Sequence, residues 1–522
     1  MKILGFQTGH DVAYSILENG IPLIHEELER FTRQKEPLGD GLKMAFKYSN
    51  YDLSEINYFT LGNYGMYQEK GIKKWKSKGC YYPRYVRKMN RILRKNNGQF
   101  YEFGHHKSHA ANAFFSSNFD EALILTIDGG GQEEDGSVSA FTVWRGVGNK
   151  IQSLDVLPIT DFNLGHMWNH YTVTVFGLSG TAGPKGSQAG TIMGMSALGN
   201  YKKYISRIDD INFLISEAKK SEQNQFDISA AMQYRTETLF KEKLNFFLKK
   251  YPSKHLCLSG GVALNCVMVG KIRTWFPQVE NIFVDPIPYD GGLSLGSSRY
   301  LWHHLLDNPR IKWEDSSSPY LGRKYSLKHV EKAIKKVKSL KSKKTDLDDI
   351  VSLLANQNII SVFNEGSESG RRALGNRSII ADPRSDKMKD LINEKVKHRQ
   401  WFRPFAPSIL KSEVSNWFET EASSPYMSFA SKFKANKKDK VPAVVHFDGT
   451  ARLQTVSEKD NKWYFNLLSK WNKATRVPIL LNTSFNDREP IVETPENAID
   501  CFLRTNIDYL YFAEFKLLVH KK

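Results

Sequence analysis

The chain has 522 residues and a mass of 59.8 kDa, with 40% apolar and 25% charged residues, so we expect a folded protein of at least two domains. No run of about 18 apolar residues and no signal-peptide core is present, which argues against a membrane span and against secretion. The four scattered cysteines suit a reducing cytoplasm, whereas the net charge of +18 and the pI near 9.4 point to an anionic partner.

The chain begins with a strand-rich segment. Two apolar stretches, residues 2–6 and 13–17, predict strands, and Asn19-Gly20 predicts a tight hairpin turn into a third strand at residues 21–26. Three antiparallel strands in this position are typical of phosphotransferases of the actin and sugar-kinase type, in which the first turn faces the nucleotide.

A strongly basic segment follows between Lys70 and Lys95. It contains eleven Lys and Arg residues and no acidic residue, so it accounts for eleven of the eighteen excess charges. Trp75 and three tyrosines lie among these cations. Cations with interleaved aromatic side chains are typical of a surface that binds phosphates and stacks bases. The alternative is a solvated basic helix without a partner.

The next motif combines two histidines with a carboxylate. Residues 105–116 predict a helix, on which His105 and His109 share one face and can bind one metal. Asp128 ends the following apolar strand, 122–128, and the glycines 129–131 after it let a phosphate approach the backbone. A histidine pair at this spacing can also be incidental, but the neighbouring Asp128 favours a metal and nucleotide site.

Strands, loops and helices then alternate twice, which predicts an α/β architecture with ligands at the strand ends. In the first instance the strand at residues 255–259 runs into Gly260, Gly261 and Asn265, a turn that can bind phosphate or can serve only for tight packing. In the second, residues 282–285 lead into a helix near Leu293. The sequence contains neither a Walker A motif nor GxGxxG.

A Pro- and Ser-rich stretch, residues 307–325, predicts a connection between domains. We therefore expect a first domain at residues 1–325 and a second α/β domain at 326–522, with strands at 359–363 and 478–482. The lysine-rich run Lys332–Lys344 alternates with apolar positions, as on the outer face of an amphipathic helix.

Cations are concentrated in the second domain. They lie in two Gly- and Pro-punctuated stretches, ESGRRALGNRSIIADPR at residues 368–384 and KHRQWFRPFAP at residues 397–407. Arginine forks and a lysine suit a phosphate ligand or a pyrophosphate leaving group. The polar stretch at residues 481–486, LNTSFN, supplies amides and a hydroxyl for a neutral carbamoyl group.

Five motifs in collinear order, over nearly the whole chain, resemble the NodU/TobZ family of O-carbamoyltransferases. They read HHKSHAANAF with TIDGGG, LSGGVALN, SGRRALGNRSIIADPR, VKHRQWFRPFAPS and LLNTSFN. The resemblance implies an actin-like (ASKHA) N-terminal domain, similar to the tRNA threonylcarbamoyl transferases, and a YrdC-like C-terminal domain. The C-terminal domain would form carbamoyladenylate from carbamoyl phosphate and Mg²⁺-bound ATP, and the N-terminal domain would pass the carbamoyl group to a hydroxyl.

The same resemblance implies roles for individual residues. A metal, Fe(II) in the family or another divalent ion here, would be held by His105, His109, Asp128 and Asp290. His10 would act as the general base near the acceptor, although a turn-capping role is its alternative. The adenylate would be lined by Gly129, Gly130, Gly260, Gly261 and Asn265. Carbamoyl phosphate and the ATP phosphates would be held by Arg372, Lys397, Arg403, Arg452, Asn482 and Ser484.

The acceptor is the least determined part of the prediction. The basic segment favours an acceptor on DNA or a nucleotide, for example a hydroxymethylated pyrimidine. A saccharide or natural-product hydroxyl is the alternative acceptor, and a nucleic-acid-binding protein on an inactive transferase scaffold is the alternative of another class. A tRNA threonylcarbamoylation enzyme is disfavoured, because that pathway normally places the two domains in separate proteins. We expect no membrane partner, and a homodimer is left open.

Overall fold

The computed structural model describes residues 1–181, 186–313 and 318–522. These form two compact units, the first comprising Met1–Ile192 with Tyr201–Leu321 and the second Met193–Asn200 with Gly322–Lys522. Part of the predicted connection, residues 314–317, lies outside the described residues. No helix among the described residues is long and apolar enough to cross a membrane.

The first unit begins with a five-stranded sheet. Its strands are β1 (Lys2–Gln7), β2 (Ala13–Glu18), β3 (Ile21–Glu27), β4 (Tyr58–Leu61) and β5 (Gln99–Glu102). Its helices are α1 (Leu28–Thr32), α2 (Gly41–Tyr48), α3 (Glu69–Ser77) and α4 (Pro83–Lys95). The strand order is β3-β2-β1-β4-β5, antiparallel from β3 to β1 and parallel from β1 to β5. At the predicted hairpin turn, Asn19 and Gly20 both have positive φ, 51° and 82°, as a type I′ turn requires.

A second sheet in the same unit repeats this topology. Its strands are β6 (Glu121–Gln132), β7 (Val138–Val147), β8 (Lys150–Pro158), β9 (His255–Ser259) and β10 (Asn281–Val284). Their order is β10-β9-β6-β7-β8, again with two antiparallel and two parallel pairs of neighbours. The associated helices are α5 (His105–Ser116), α6 (Leu164–Thr174), α7 (Ala189–Met195), α8 (Ile211–Ala218), α9 (Glu222–Lys250), α10 (Cys266–Trp275) and α11 (Leu293–Arg299). Two sheets of equal order and direction confirm the predicted actin-like α/β fold class.

Helices α5 and α11 form the core between the two sheets. Helix α11 contacts β1, β2 and β4, whereas α5 contacts β6, β7 and β9, and the two helices pack on each other. Eleven of the twelve residues of α5 are buried, so its polar side chains must find partners inside the protein. The backbones approach closely at Gly296, where an added Cβ would lie 2.0 Å from the carbonyl oxygen of Ser108.

The second unit is also α/β. It contains strands β11 (Leu340–Lys344), β12 (Ile360–Phe363), β13 (Arg377–Ala381), β14 (Ala406–Leu410), β15 (Ala430–Lys432), β16 (Thr450–Arg452), β17 (Gln454–Val456), β18 (Ile479–Ser484), β19 (Tyr509–Phe512) and β20 (Leu517–Lys521). Its helices are α12 (Leu327–Lys335), α13 (Leu347–Ala355), α14 (Lys387–Lys395), α15 (Val414–Trp417), α16 (Lys462–Thr475) and α17 (Pro495–Arg504). Eight strands form one mixed sheet, β11-β20-β19-β12-β13-β18-β14-β17, and β15 pairs with β16. A YrdC-like relationship of this unit stays a prediction.

One element was predicted wrongly. The run Lys332–Lys344 is not one helical face, because α12 ends at Lys335 and residues 340–344 form the edge strand β11. Its lysines are exposed and so protect an edge strand from pairing with other chains. The lysines of this one short run therefore belong to two different elements, the helix α12 and the edge strand β11.

Candidate functional site

The predicted metal residues converge in the first unit. His105 and His109 lie one turn apart on α5, Asp128 lies in β6, and Asp290 begins a short turn before α11. One ligand atom from each residue lies within 4.8 Å of the others. Helix α5 thus supplies both imidazoles, and strand β6 and the turn before α11 each supply one carboxylate.

The cluster has the spacing of a coordination sphere. The Nε2 atom of His109 lies 3.3 Å from an oxygen of Asp128 and 3.4 Å from one of Asp290, and Nε2 of His105 lies 3.6 Å from Asp290. Both Nε2 atoms are buried and have no hydrogen-bond partner among the described residues. Bonds of about 2.1 Å to a metal place neighbouring ligands ~3.0–3.5 Å apart. Two imidazoles and two carboxylates therefore fit a divalent transition metal, without selecting iron.

Charge compensation stabilises this cluster. Although burial opposes it, the carboxylates of Asp128 and Asp290 raise the pKa of His109 to about 9. Burial, together with the neighbouring His109, lowers the pKa of His105, and despite burial the same histidines hold the pKa of Asp128 well below its usual range. A metal bound here must displace the proton of His109, so we expect metal binding to release protons.

His10 lies beside the cluster, in the turn between β1 and β2. Its Nε2 is 3.4 Å from Asp290, its Nδ1 is 3.2 Å from Asp11, and 38% of its side chain is exposed. Burial lowers its pKa, but Asp290 and Asp11 outweigh burial and raise it to about 10. His10 is therefore a partly accessible cation in the metal-free protein.

Two glycine turns border the cluster. Gly260 adopts φ of +90° and Gly261 donates its N–H to Asp128 at 2.7 Å. Gly129 and Gly130 follow Asp128, where the register of β6 against β7 shifts, and both are exposed. The structure thus brings four of the five predicted adenylate residues next to the metal cluster.

The fifth, Asn265, already has a local role. Its carbonyl oxygen caps α10 by accepting the N–H of Met268 at 3.1 Å, and its amide exchanges hydrogen bonds with Gln233. These contacts use most of its hydrogen-bonding capacity. A direct contact between Asn265 and an adenylate stays a prediction.

A buried polar network ties α5 to the segment of chain that leads to Asp290. Asn112 and Ser116 continue the helical stripe of His105 and His109 on α5. Ser116 donates to Asp285 at 2.6 Å, and Asn112 donates to the carbonyl of Ile287 at 3.2 Å. Arg299 of α11 donates to Asn112 at 2.5 Å and lies 3.8 Å from Asp285. Our sequence reasoning missed this network, although the spacing of Asn112 and Ser116 was a readable signal.

A glycine positions His105 from the other side. Gly131 in β6 packs against this imidazole so closely that an added Cβ would lie 2.1 Å from its Cγ. Ser259, the last residue of β9, fixes the second imidazole through a contact of 3.3 Å to Nδ1 of His109. Such partners orient metal-binding histidines.

In the second unit, Lys397 is buried at the end of α14. Its ammonium donates to the carbonyl of Ser484 at 2.9 Å, to the Ser484 hydroxyl at 3.3 Å, and to the carbonyl and side chain of Asn486. All three of its protons thus have acceptors in the polar loop after β18. The structure brings Lys397 and Ser484 together, with the lysine fixing the loop.

Three guanidinium groups form a second cluster in this unit. Burial and the neighbouring charges of Arg403 and Arg452 lower the pKa of Arg399 well below its usual range, and burial with Arg452 lowers the pKa of Arg403 to about 10. The charges of Arg403 and Arg452 therefore lie close enough to Arg399 to oppose its own charge. An anion would relieve this repulsion. Arg399 was quoted in the sequence motif but not selected as a site residue.

The two remaining predicted residues of the second unit are Asn482 and Arg372. Asn482 on β18 is buried, and its amide nitrogen donates to Ala373, Ser408 and Gln454, while its carbonyl oxygen has no partner among the described residues. This oxygen is left for a donor such as a carbamoyl N–H. Arg372 is half-buried in the loop between β12 and β13.

Two family models match separate parts of the chain. The model described as carbamoyltransferase N-terminus covers residues 82–298, and the model described as carbamoyltransferase C-terminus covers residues 351–520. Together they include the histidine and aspartate cluster and the arginine cluster.

Similar proteins agree with these matches. Nodulation protein NolO of Bradyrhizobium diazoefficiens is 34% identical over 80% of this chain and 79% of its own. An uncharacterized Synechocystis protein is 29% identical over 97% of this chain and 95% of its own. The solved structure of HypF from T. kodakarensis matches 58% of this chain and 48% of the HypF chain, at 12% identity and a TM-score of 0.38. On the family models and the NolO likeness, the chain belongs to the carbamoyltransferase family.

Proposed function

We propose that this carbamoyltransferase is an ATP-dependent O-carbamoyltransferase with two reaction sites. The second unit would convert carbamoyl phosphate, ATP and one water molecule to carbamoyladenylate, pyrophosphate and phosphate. The water cleaves the phosphate from carbamoyl phosphate, and the carbamate that remains displaces pyrophosphate from the α-phosphate of ATP. The first unit would transfer the carbamoyl group to a hydroxyl and release AMP. One observation carries the proposal: this family member contains both a cluster of histidines and aspartates and a cluster of arginines.

The first cluster supports the transfer step. A divalent metal, iron(II) or another, held by His105, His109, Asp128 and Asp290 would supply Lewis acidity to the adenylate. The glycine turns at residues 129–130 and 260–261 support the binding of its phosphate, because residues without side chains would let a phosphate approach the backbone.

His10 is the residue of this site suited to handle the acceptor proton. To accept a proton from a hydroxyl it must be neutral, whereas the charge of Asp290 raises its pKa to about 10. Cation binding to Asp290 opposes that charge. The proposed role of His10 as general base therefore requires a loaded metal site, and His10→Ala should slow transfer more than pyrophosphate release.

The second unit supports the activation step. Arg372, Arg403 and Arg452, together with Arg399, supply charge for the phosphates of carbamoyl phosphate and of Mg²⁺-bound ATP. Asn482 and Ser484 offer a carbonyl oxygen and a hydroxyl to the neutral carbamoyl end. Lys397 would act by fixing the loop that carries Ser484.

For the acceptor, we propose a hydroxyl on DNA or a nucleotide, such as the hydroxymethyl group of a modified pyrimidine. The support is the net charge of +18 and its concentration between Lys70 and Lys95. A sugar acceptor gives no physical reason for such a charge.

A single incubation tests both parts of the proposal. The protein, a divalent metal, ATP and carbamoyl phosphate are incubated with a panel of hydroxymethylated oligonucleotides, nucleotides, saccharides and small alcohols, and products are weighed by mass spectrometry. We expect a CONH2 group to replace a hydrogen on a nucleic-acid acceptor only when both co-substrates are present. Transfer without ATP would contradict the activation scheme, and carbamoylation of a saccharide alone would contradict the proposed acceptor.

A further inference from the structure

Helices α3 and α4 carry a set of exposed cations on the first unit, called here the basic surface. The surface consists of Lys70, Lys73, Lys74, Lys76, Lys78, Arg84, Arg87, Lys88, Arg91, Arg94 and Lys95, all of them exposed. In the part of the chain that the structure describes, Lys73 alone among them lies within ion-pair distance of a carboxylate, that of Glu69. The other cations of this basic surface form no ion pair with a carboxylate of the described residues.

The packing of α4 explains why its cations face outward. Tyr85, Met89 and Leu93 are buried on one side of the helix and join the core with Phe59 of β4. No large apolar side chain of residues 70–95 is exposed. Because a membrane-surface helix needs an exposed apolar face to insert, the basic surface fits a phosphate backbone rather than a bilayer.

One aromatic residue joins the basic surface to the reaction site. The indole of Trp75 on α3 packs against Gly9, where an added Cβ would lie 3.0 Å from its Cη2 atom. Gly9 directly precedes His10, which faces Asp290. The ammonium groups of Lys74 and Lys78 lie 5.4 and 5.2 Å from the centre of the Trp75 ring. A half-buried indole with flanking cations thus lies next to the proposed general base.

We infer that the basic surface binds the backbone of single-stranded or locally unpaired DNA, with Trp75 acting as the platform on which a base beside the acceptor stacks. This inference rests on the proposed function and names its acceptor-binding surface. The cations hold phosphates, and the indole holds the neighbouring base, so that the acceptor base lies next to His10. A base within a duplex cannot reach the turn between β1 and β2, so an unpaired base is the form recognised.

The charge part is tested by binding without co-substrates. The probe is a labelled single-stranded oligonucleotide with one 5-hydroxymethylcytosine, measured by fluorescence anisotropy over a range of salt. Arg87→Glu/Arg91→Glu should weaken binding at least tenfold and lower the slope of log affinity against log salt by about 0.7 for each phosphate that the variant no longer neutralises. The matched control, Lys328→Glu/Lys332→Glu, makes the same charge change at the same spacing on exposed residues of α12 and should bind as the wild type does.

The stacking part is tested at Trp75. Trp75→Ala should weaken binding of the single strand on the order of tenfold, because stacking on an aromatic ring contributes ~1–3 kcal/mol per base. Trp75→Phe should recover most of that loss, which a merely structural disturbance of α3 would not explain. The duplex of the same sequence should bind more weakly than the single strand and should lose little with Trp75→Ala.

The outcomes separate this inference from the proposed function. If the oligonucleotide is carbamoylated with the same KM by the wild type and by Arg87→Glu/Arg91→Glu, the acceptor is right and the inferred surface is wrong. If the oligonucleotide binds through the basic surface but only a saccharide is carbamoylated, the surface is right and the acceptor is wrong. Tighter binding to anionic phospholipid vesicles than to the oligonucleotide, or equal losses in the α12 control, would overturn the inference.

Discussion

The two clusters of buried charge in this protein follow opposite rules. In the first unit, two imidazoles and two carboxylates lie together, and their opposite charges raise the pKa of His109 to about 9 and lower that of Asp128. In the second unit, Arg399, Arg403 and Arg452 lie together, and burial, aided by their like charges, lowers the pKa values of the first two. The first cluster is balanced as it stands, whereas the second is stabilised by an added anion.

This difference predicts opposite responses to ligands. A metal entering the first cluster competes with a proton that the carboxylates hold in place, so its affinity rises with pH. A polyphosphate that binds the second cluster reduces the repulsion between its cations, so its binding should also raise the free energy of unfolding. Substitutions that alter one cluster without the other can therefore assign the two halves of the proposed reaction.

The largest expected effect comes from closing the space beside His105. Gly131→Ala would place a methyl group where the imidazole lies, so metal affinity should fall at least ~100-fold and carbamoyl transfer should be nearly lost. Metal titration followed by the absorption of bound cobalt(II) measures the affinity. Gly190→Ala is the control, because nothing lies within 4 Å of its added Cβ; equal metal binding by both variants would show that Gly131 does not position the site.

A smaller effect is expected at Asp40, a buried carboxylate outside the histidine and aspartate cluster. Burial raises the pKa of Asp40 to about 6, and the N–H groups that it accepts offset burial only in part. Because the folded protein then binds this proton more tightly than the unfolded chain, stability is lost as pH rises from about 4 to about 6, by ~3 kcal/mol. Asp40→Asn keeps the cap on Lys43 of α2 and removes the titration.

Urea unfolding at pH 4 and pH 7 measures this change. The loss of stability between these values should be smaller in Asp40→Asn than in the wild type. The same pH dependence in both proteins would show that Asp40 is ionised without cost in the folded state.

The smallest effect is expected from removing one cation of the arginine cluster. Arg452→Met removes one of three repelling cations, so the affinity for pyrophosphate should fall on the order of tenfold while the melting temperature without ligand stays equal or rises. Calorimetric titration and thermal unfolding measure the two quantities. Lys336→Met, an exposed cation on the same unit, should change neither; a lower melting temperature in Arg452→Met would mean that Arg452 is paired rather than repelled.

The parts of the fold with strong local signals could be predicted from the sequence. The Asn19-Gly20 turn, the helix at residues 105–116 and the strand at residues 255–259 lie where the pattern placed them. Local geometry determines each of them: positive φ at the turn, a helical repeat, and an apolar run ending in glycines. The convergence of His105, His109 and Asp128 followed from the helix face and the neighbouring strand. The prediction that Asp128 ends this strand was wrong, because β6 shifts its register there and continues to Gln132.

Features that depend on long-range packing could not be predicted. The repeated topology of the two sheets leaves no repeated sequence, and Arg299 reaches Asn112 from 187 positions away. The side chains of Asn265 and Asn482 looked available for ligands, yet tertiary hydrogen bonds occupy most of their groups. The lysine run at residues 332–344 misled the helical prediction because a strand edge also favours lysine.

The central claim is that activation and transfer are separate reactions in separate clusters. Pyrophosphate release and carbamoyl transfer, measured in the same incubation for His109→Ala and Lys397→Met, test it most directly. We predict that His109→Ala keeps pyrophosphate release dependent on carbamoyl phosphate but loses transfer, and that Lys397→Met loses both. Equal loss of both activities in His109→Ala, or transfer that continues in Lys397→Met, would contradict the two-site account.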